Sequence, residues 1–157
     1  GRSQVLDKDL IITQLSFASA EEAIRFGGKL LFERGYVKEC YIESVLERER
    51  IFPTGLPTEP VSIAIPHTNS DCVIKSSMCM MVLDEPLKFS QMGDADIPVM
   101  AKIIIMLAVS SAEGHLEFLS NLLTILSEKT LLERISHAHS KDEIYELMLA
   151  SGECFKI

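Results

Sequence analysis

Val61-Ser62-Ile63-Ala64-Ile65-Pro66-His67 is the stretch on which the reading of this chain turns. It is a short apolar run of the kind buried in a sheet, closed by a proline that cannot donate to a ladder. Pro66 also holds Ile65 extended. His67 is then the first residue able to leave the sheet, on a stiffened backbone at its edge. Such a place suits a side chain that must be aimed and still reach a partner.

Working backward, residues 52–60 hold three prolines and Gly55 and read as a loop. Before it, residues 38–50 read as a helix with Tyr41, Ile42, Val45 and Leu46 on one face, closed by the charge run Glu47-Arg48-Glu49-Arg50 as a solvated end. An earlier helix opens on Ser19-Ala20-Glu21-Glu22, a capping box, and stops at Gly35. Residues 10–15 are either a first strand or an entry turn. Working forward, residues 78–83 form a second buried strand ended by Asp84-Glu85-Pro86. Residues 87–89 read as a short edge strand and residues 91–98 as a turn-rich connection. Residues 102–109 are too apolar to be half exposed and predict a central strand covered on both faces. From Glu113 the period becomes helical, with His115, Leu119, Leu122 and Leu126 on one stripe. Two more helices follow, near residues 130–137 and 141–149. The expectation is a single α/β domain over residues 1–157, a three-layer α/β/α arrangement around a mixed sheet.

A chain of 157 residues, 47% hydrophobic and 24% charged, can bury one sizeable core. Its net charge of −8 disfavours nucleic acid, which demands a basic face. No apolar run approaches a membrane span, and nothing resembles a secretory signal. Gly1, Arg2 and Ser3 lack an initiator methionine and read as a cloning remnant outside the fold. The cysteines Cys40, Cys72, Cys79 and Cys154 have no metal-like spacing. Together with seven methionines they suggest a reduced, cytosolic protein rather than a disulfide framework.

Of four histidines, His137 and His139 carry no argument. Two residues apart, they diverge by about 200° on a helix. His67 and His115 differ, because each lies just beyond the C-terminal end of a strand. If those strands run parallel, both meet at one sheet edge, where open α/β sheets place their sites. A helix N-terminus there favours an anion. No phosphate-cradling glycine motif, nucleophile elbow or metal cluster is present, so neither cofactor nor metal is expected. What remains is an imidazole nucleophile and a phosphoryl electrophile.

These residues resemble the mannitol/fructose-type enzyme IIA domains of the bacterial sugar phosphotransferase system. Ile65-Pro66-His67 follows a loop containing Thr54-Gly55, preceded by Leu46-Glu47-Arg48-Glu49, and the similarity runs over about residues 10–150. The resemblance implies a phosphotransferase in which His67 accepts a phosphoryl group from the carrier HPr. It would then pass to a IIB component, on cysteine, serving a membrane IIC. It also implies Arg48 and His115 as groups that steady the phosphoryl oxygens and the phosphorylated ring. Phe52-Pro53-Thr54-Gly55, Ala64-Ile65-Pro66-His67 and Lys75-Ser76-Ser77 are most similar to the galactitol branch, implying galactitol or a related polyol. In that branch the second histidine is not always kept. Departures are Thr68, where many members have glycine, and a longer loop before the strand. The alternative is a regulatory module of the nitrogen type, phosphorylated on His67 but acting by binding other proteins.

Overall fold

The computed structural model describes residues 6–152; the side chains of residues 112–115 lie outside that description, as does Cys154. Five strands, β1 (Leu6–Leu15), β2 (Gly55–Leu56), β3 (Ser62–Ala64), β4 (Ser77–Gln91) and β5 (Asp94–Ala108), form one mixed sheet. The helices are α1 (Ala20–Glu33), α2 (Tyr41–Ile51), α3 (Ala112–Leu126), α4 (Lys129–His137) and α5 (Lys141–Ser151). β4 and β5 make a long antiparallel hairpin. β1 pairs parallel with β4, and β3 pairs parallel with β5. β2 runs antiparallel to β3 and meets the far end of β4 at Gly55 and Gln91.

The hairpin divides the core because successive strand residues face opposite ways. Met78, Met80 and Val82 of β4 and Ile103, Ile105 and Leu107 of β5 pack with Leu122, Leu126, Leu132, Ile135, Ile144 and Met148 from α3, α4 and α5. The intervening Cys79, Met81, Leu83, Ile104 and Met106 pack instead with Ala23, Ile24, Leu31, Tyr41 and Val45 from α1 and α2. This is the expected three-layer α/β/α order.

The α1 cap forms as its sequence predicts, with Ser19 Oγ accepting from Glu22 N at 3.2 Å. Glu22 reaches back to Ala18 N at 2.8 Å rather than to the cap residue itself. At the other end, Gly35 N donates to Phe32 O and Tyr36 N to Leu31 O, the two bonds that close a helix at a glycine.

One open alternative is decided and three local expectations are revised. Residues 10–15 are a strand, which begins at Leu6. β4 does not stop at Asp84-Glu85-Pro86 but continues to Gln91. Those three residues are exposed and sit where the register with β5 shifts, so the missing N–H of Pro86 leaves no ladder bond unmade. The connection expected over residues 91–98 is only Met92 and Gly93, with Gly93 at φ 85°, so residues 94–98 already belong to β5. The proline loop also contains β2. Here Gly55 is required by close approach, since a Cβ would stand 2.6 Å from Ser90 O and 2.9 Å from Val99 Cβ.

The reading of the cysteines needs a larger correction. Cys40 and Cys72 are joined in a disulfide, with Cα atoms 5.8 Å apart. A Val37–Val73 bridge and the Lys38 N–H to Cys72 O bond, 2.8 Å, bring the entry of α2 beside the short 3-10 turn at Ser70–Cys72. The two cysteines are 32 positions apart, and only the folded loop makes them neighbours.

Candidate active site

β3 is three residues long, and its parallel pairing with β5 continues beyond its formal end, where Leu107 N donates to Pro66 O at 3.0 Å. His67 therefore stands level with the last residues of β5, which lead through Ser110 and Ser111 into α3. The parallel relation on which the two-histidine expectation depended is present. His115 lies in the first turn of α3 at this same sheet end, but its side chain falls outside the described residues.

His67 is buried, with 7% of its surface exposed. Its Nδ1 lies 2.7 Å from Ile65 O. A carbonyl can only accept, so Nδ1 carries the proton and the lone pair of the neutral ring sits on Nε2. The ring cannot turn freely, because its anchor is the residue that Pro66 holds extended. The chemical consequence is an imidazole presented as a nucleophile through one defined nitrogen.

α2 supplies the second part. Ser44 Oγ lies 2.6 Å from Thr68 Oγ1, tying this helix to the residue after His67. Arg48 is four residues further along, hence on the same helix face. Its side chain is exposed, and its guanidinium carbon rests 5.2 Å from the centre of the Phe52 ring. Among the described residues it makes no ion pair. A planar cation in this position can bind a phosphoryl group by two parallel hydrogen bonds.

A carboxylate missed in the sequence lies one residue on. Glu49 follows Tyr41 and Val45 at intervals of four, and both of these are fully buried. That spacing was the available signal, obscured by the charged neighbours. Glu49 Oε2 accepts from Thr54 N at 2.8 Å and Oε1 from Thr54 Oγ1 at 2.7 Å. Ile65 N in turn donates to Thr54 Oγ1 at 3.2 Å and to Thr54 O at 3.3 Å. Burial pushes the Glu49 carboxyl up to about 7, against the opposing effect of the Thr54 hydrogen bonds. Beneath the site, Tyr41 donates to Leu107 O at 2.6 Å, and burial holds its hydroxyl well above the usual phenol range.

A cleft of about 470 Å³ between α1, α2 and β4 is lined by Glu21, Glu43, Glu47, Glu49, Arg50 and Lys88 among others, and does not include His67. Cys79 is no competitor as nucleophile, since burial pushes its thiol up to about 12. No group of three or more metal-ligating side chains is found among the described residues, and His137 and His139 are both exposed.

An α/β/α sheet that offers a tethered histidine at its edge and an arginine on the adjoining helix has the parts of a histidine-based group-transfer protein. The family described as "Phosphoenolpyruvate-dependent sugar phosphotransferase system, EIIA 2" matches residues 4–151, and the chain belongs to it. It is 33% identical over 144 residues to the mannitol-specific phosphotransferase enzyme IIA component of Bacillus subtilis, covering 90% of this chain and 94% of that protein. It is 35% identical over 134 residues to the mannitol-specific EIICBA component of Escherichia coli, covering 83% of this chain. The chain spans about a fifth of that protein's length, 20%. Among solved structures, the Escherichia coli complex of enzyme IIA-mannitol with phosphorylated enzyme IIB-mannitol aligns with a TM-score of 0.76 at 30% identity, covering 90% of this chain and 95% of that one. The crystal structure of IIA-mannitol from the same organism aligns with a TM-score of 0.72. These relatives are named for mannitol, so the comparisons support the family and not the galactitol branch.

Proposed function

We propose that the chain is a phosphoryl relay in which His67 Nε2 takes a phosphoryl group from a phosphohistidine donor, HPr, and yields it to a IIB component. The observation that carries this is the 2.7 Å contact of His67 Nδ1 with Ile65 O, which leaves the ring lone pair on Nε2 at the sheet edge. In the forward step the Nε2–P bond forms as the bond from phosphorus to the donor's ring nitrogen breaks, and that nitrogen recovers the electron pair. Nδ1–H stays on Ile65 O throughout, stabilising the ring as it gains positive character. Arg48 offsets charge on the phosphoryl oxygens, and His115 joins it from the first turn of α3. In the second step a IIB cysteine thiolate attacks the same phosphorus and His67 returns neutral.

Transfer to a IIB partner draws support from the relative solved as a IIA–IIB complex. For the sugar we propose a polyol, taken up through a membrane IIC. The relatives' names favour mannitol; the residues around Thr54-Gly55 and Lys75-Ser76-Ser77 favour galactitol. A cytoplasmic location follows from this role, and among the described residues no helix is long and apolar enough to cross a membrane. Incubation with phosphoenolpyruvate, enzyme I and HPr should add one acid-labile phosphoryl group by intact mass, and His67→Ala should lose it. An unchanged wild-type mass would overturn the proposal.

A further inference from the structure

We infer that Glu49 is a positioning residue which, through Thr54, holds the Ile65 backbone that fixes the tautomer and aim of His67. This rests on the proposed role of His67 as acceptor. The direction of each hydrogen bond carries the argument. Both Glu49 oxygens receive hydrogens from Thr54, one from its amide and one from its hydroxyl. With its own hydrogen committed to Glu49, the Thr54 hydroxyl turns a lone pair toward Ile65 N–H. Ile65 is thereby held on its amide side by Thr54, and its carbonyl holds His67 Nδ1.

The ionised carboxylate accepts both Thr54 hydrogens. A protonated carboxyl would carry a hydrogen of its own on one of those oxygens, so one of the two bonds would be lost or reversed and the Thr54 hydroxyl would no longer be fixed with its lone pair toward Ile65 N–H. Glutamine has the same defect at every pH, because its amide NH₂ cannot accept. The pH at which Glu49 ionises is set mainly by burial. Other charged groups lining the cleft beside it are Glu21 of α1, Glu43, Glu47 and Arg50 of α2, and Lys88 of β4. Glu43 is paired with Arg25 and Glu47 with Arg50, which mutes their influence.

The test compares wild type with Glu49→Gln, Thr54→Val and Thr54→Ser in the phosphoryl-uptake assay across pH 5.5–9, alongside ring-nitrogen NMR of His67. Glu49→Gln and Thr54→Val should slow uptake about 10- to 100-fold at pH 8, the range expected when a reacting group is mis-set by a fraction of an ångström to one ångström. Both should populate the Nε2–H tautomer, while Thr54→Ser keeps the hydroxyl and the wild-type behaviour. In wild type, uptake should rise with pH as Glu49 ionises, a rise that Glu49→Gln should lack. Wild-type rate and tautomer in Glu49→Gln would overturn the inference, as would a slowed variant whose His67 remains wholly Nδ1–H. If Glu49→Gln does not fold, Thr54→Val decides by the same readouts. A wild type that takes up no phosphoryl group sinks the relay instead, and the tautomer comparison still decides whether Glu49 positions His67.

Discussion

β5 and β3 lie side by side in one sheet and are held in different ways. β5 is 15 residues long, paired along most of its length with β4, and Ile103, Ile104, Ile105 and Met106 are fully buried. β3 has three residues; Ile63, Ala64 and Ile65 are fully buried, but the chain beyond them to His67 is aligned by hydrogen bonds of Ile65 with Thr54 and of Pro66 with Leu107. Apolar burial is non-directional and tolerates small shifts, so it suits a scaffold. Hydrogen bonds are directional and modest in net energy, so they suit aiming a ring. The hairpin supplies stability and the short strand supplies geometry.

Damage to the two regions should accordingly read out in different ways. Ile105→Ala, in the hairpin core, should lose about 2–5 kcal/mol of stability in denaturant unfolding while folded molecules keep their rate of phosphoryl uptake. A large rate loss there would break the division between scaffold and aim. Next comes the pH dependence of stability. Burial raises the Glu49 carboxyl from its ordinary 4.5 to about 7 in the folded chain. Between those values the folded state binds the proton and the unfolded state does not. Stability is therefore full below the lower value and falls as pH rises through the upper one, by at most about 3 kcal/mol. Glu49→Gln should flatten this fall and melt no lower than wild type at pH 8, although it transfers more slowly. A site residue whose active form weakens the fold is a known trade-off. The smallest effect is expected at Arg48→Lys. It keeps the charge but not the planar fork, and should slow uptake about tenfold with an unchanged melting temperature. A shift in melting with no kinetic change would make Arg48 a structural residue.

Much of the scaffold was legible because it is written in local periodicity. The capped start at Ser19, the stop at Gly35 and the doubly buried strand near residues 102–109 appear as expected. Pro86 misled because a proline reads as a strand end, whereas its register shift in the hairpin accommodates it. The charge run at residues 47–50 concealed two different surroundings. Arg48 shares a face with Ser44, whose hydroxyl meets Thr68, and its guanidinium lies over Phe52; Glu49 continues the buried Tyr41–Val45 line. Adjacent helix positions point about 100° apart, so neighbours in sequence need not share a site.

Family, layer order and the strand-proline-histidine element follow from the order of residues alone, since each depends on spacing within one element. The tertiary structure alone determined that β3 lies parallel to β5, that Cys40 meets Cys72, and that Glu49 reaches Ile65 through Thr54. Each of these joins segments distant in sequence or opposed in direction. Such pairings come from closing loops and burying faces together, and no pattern within a single segment encodes them.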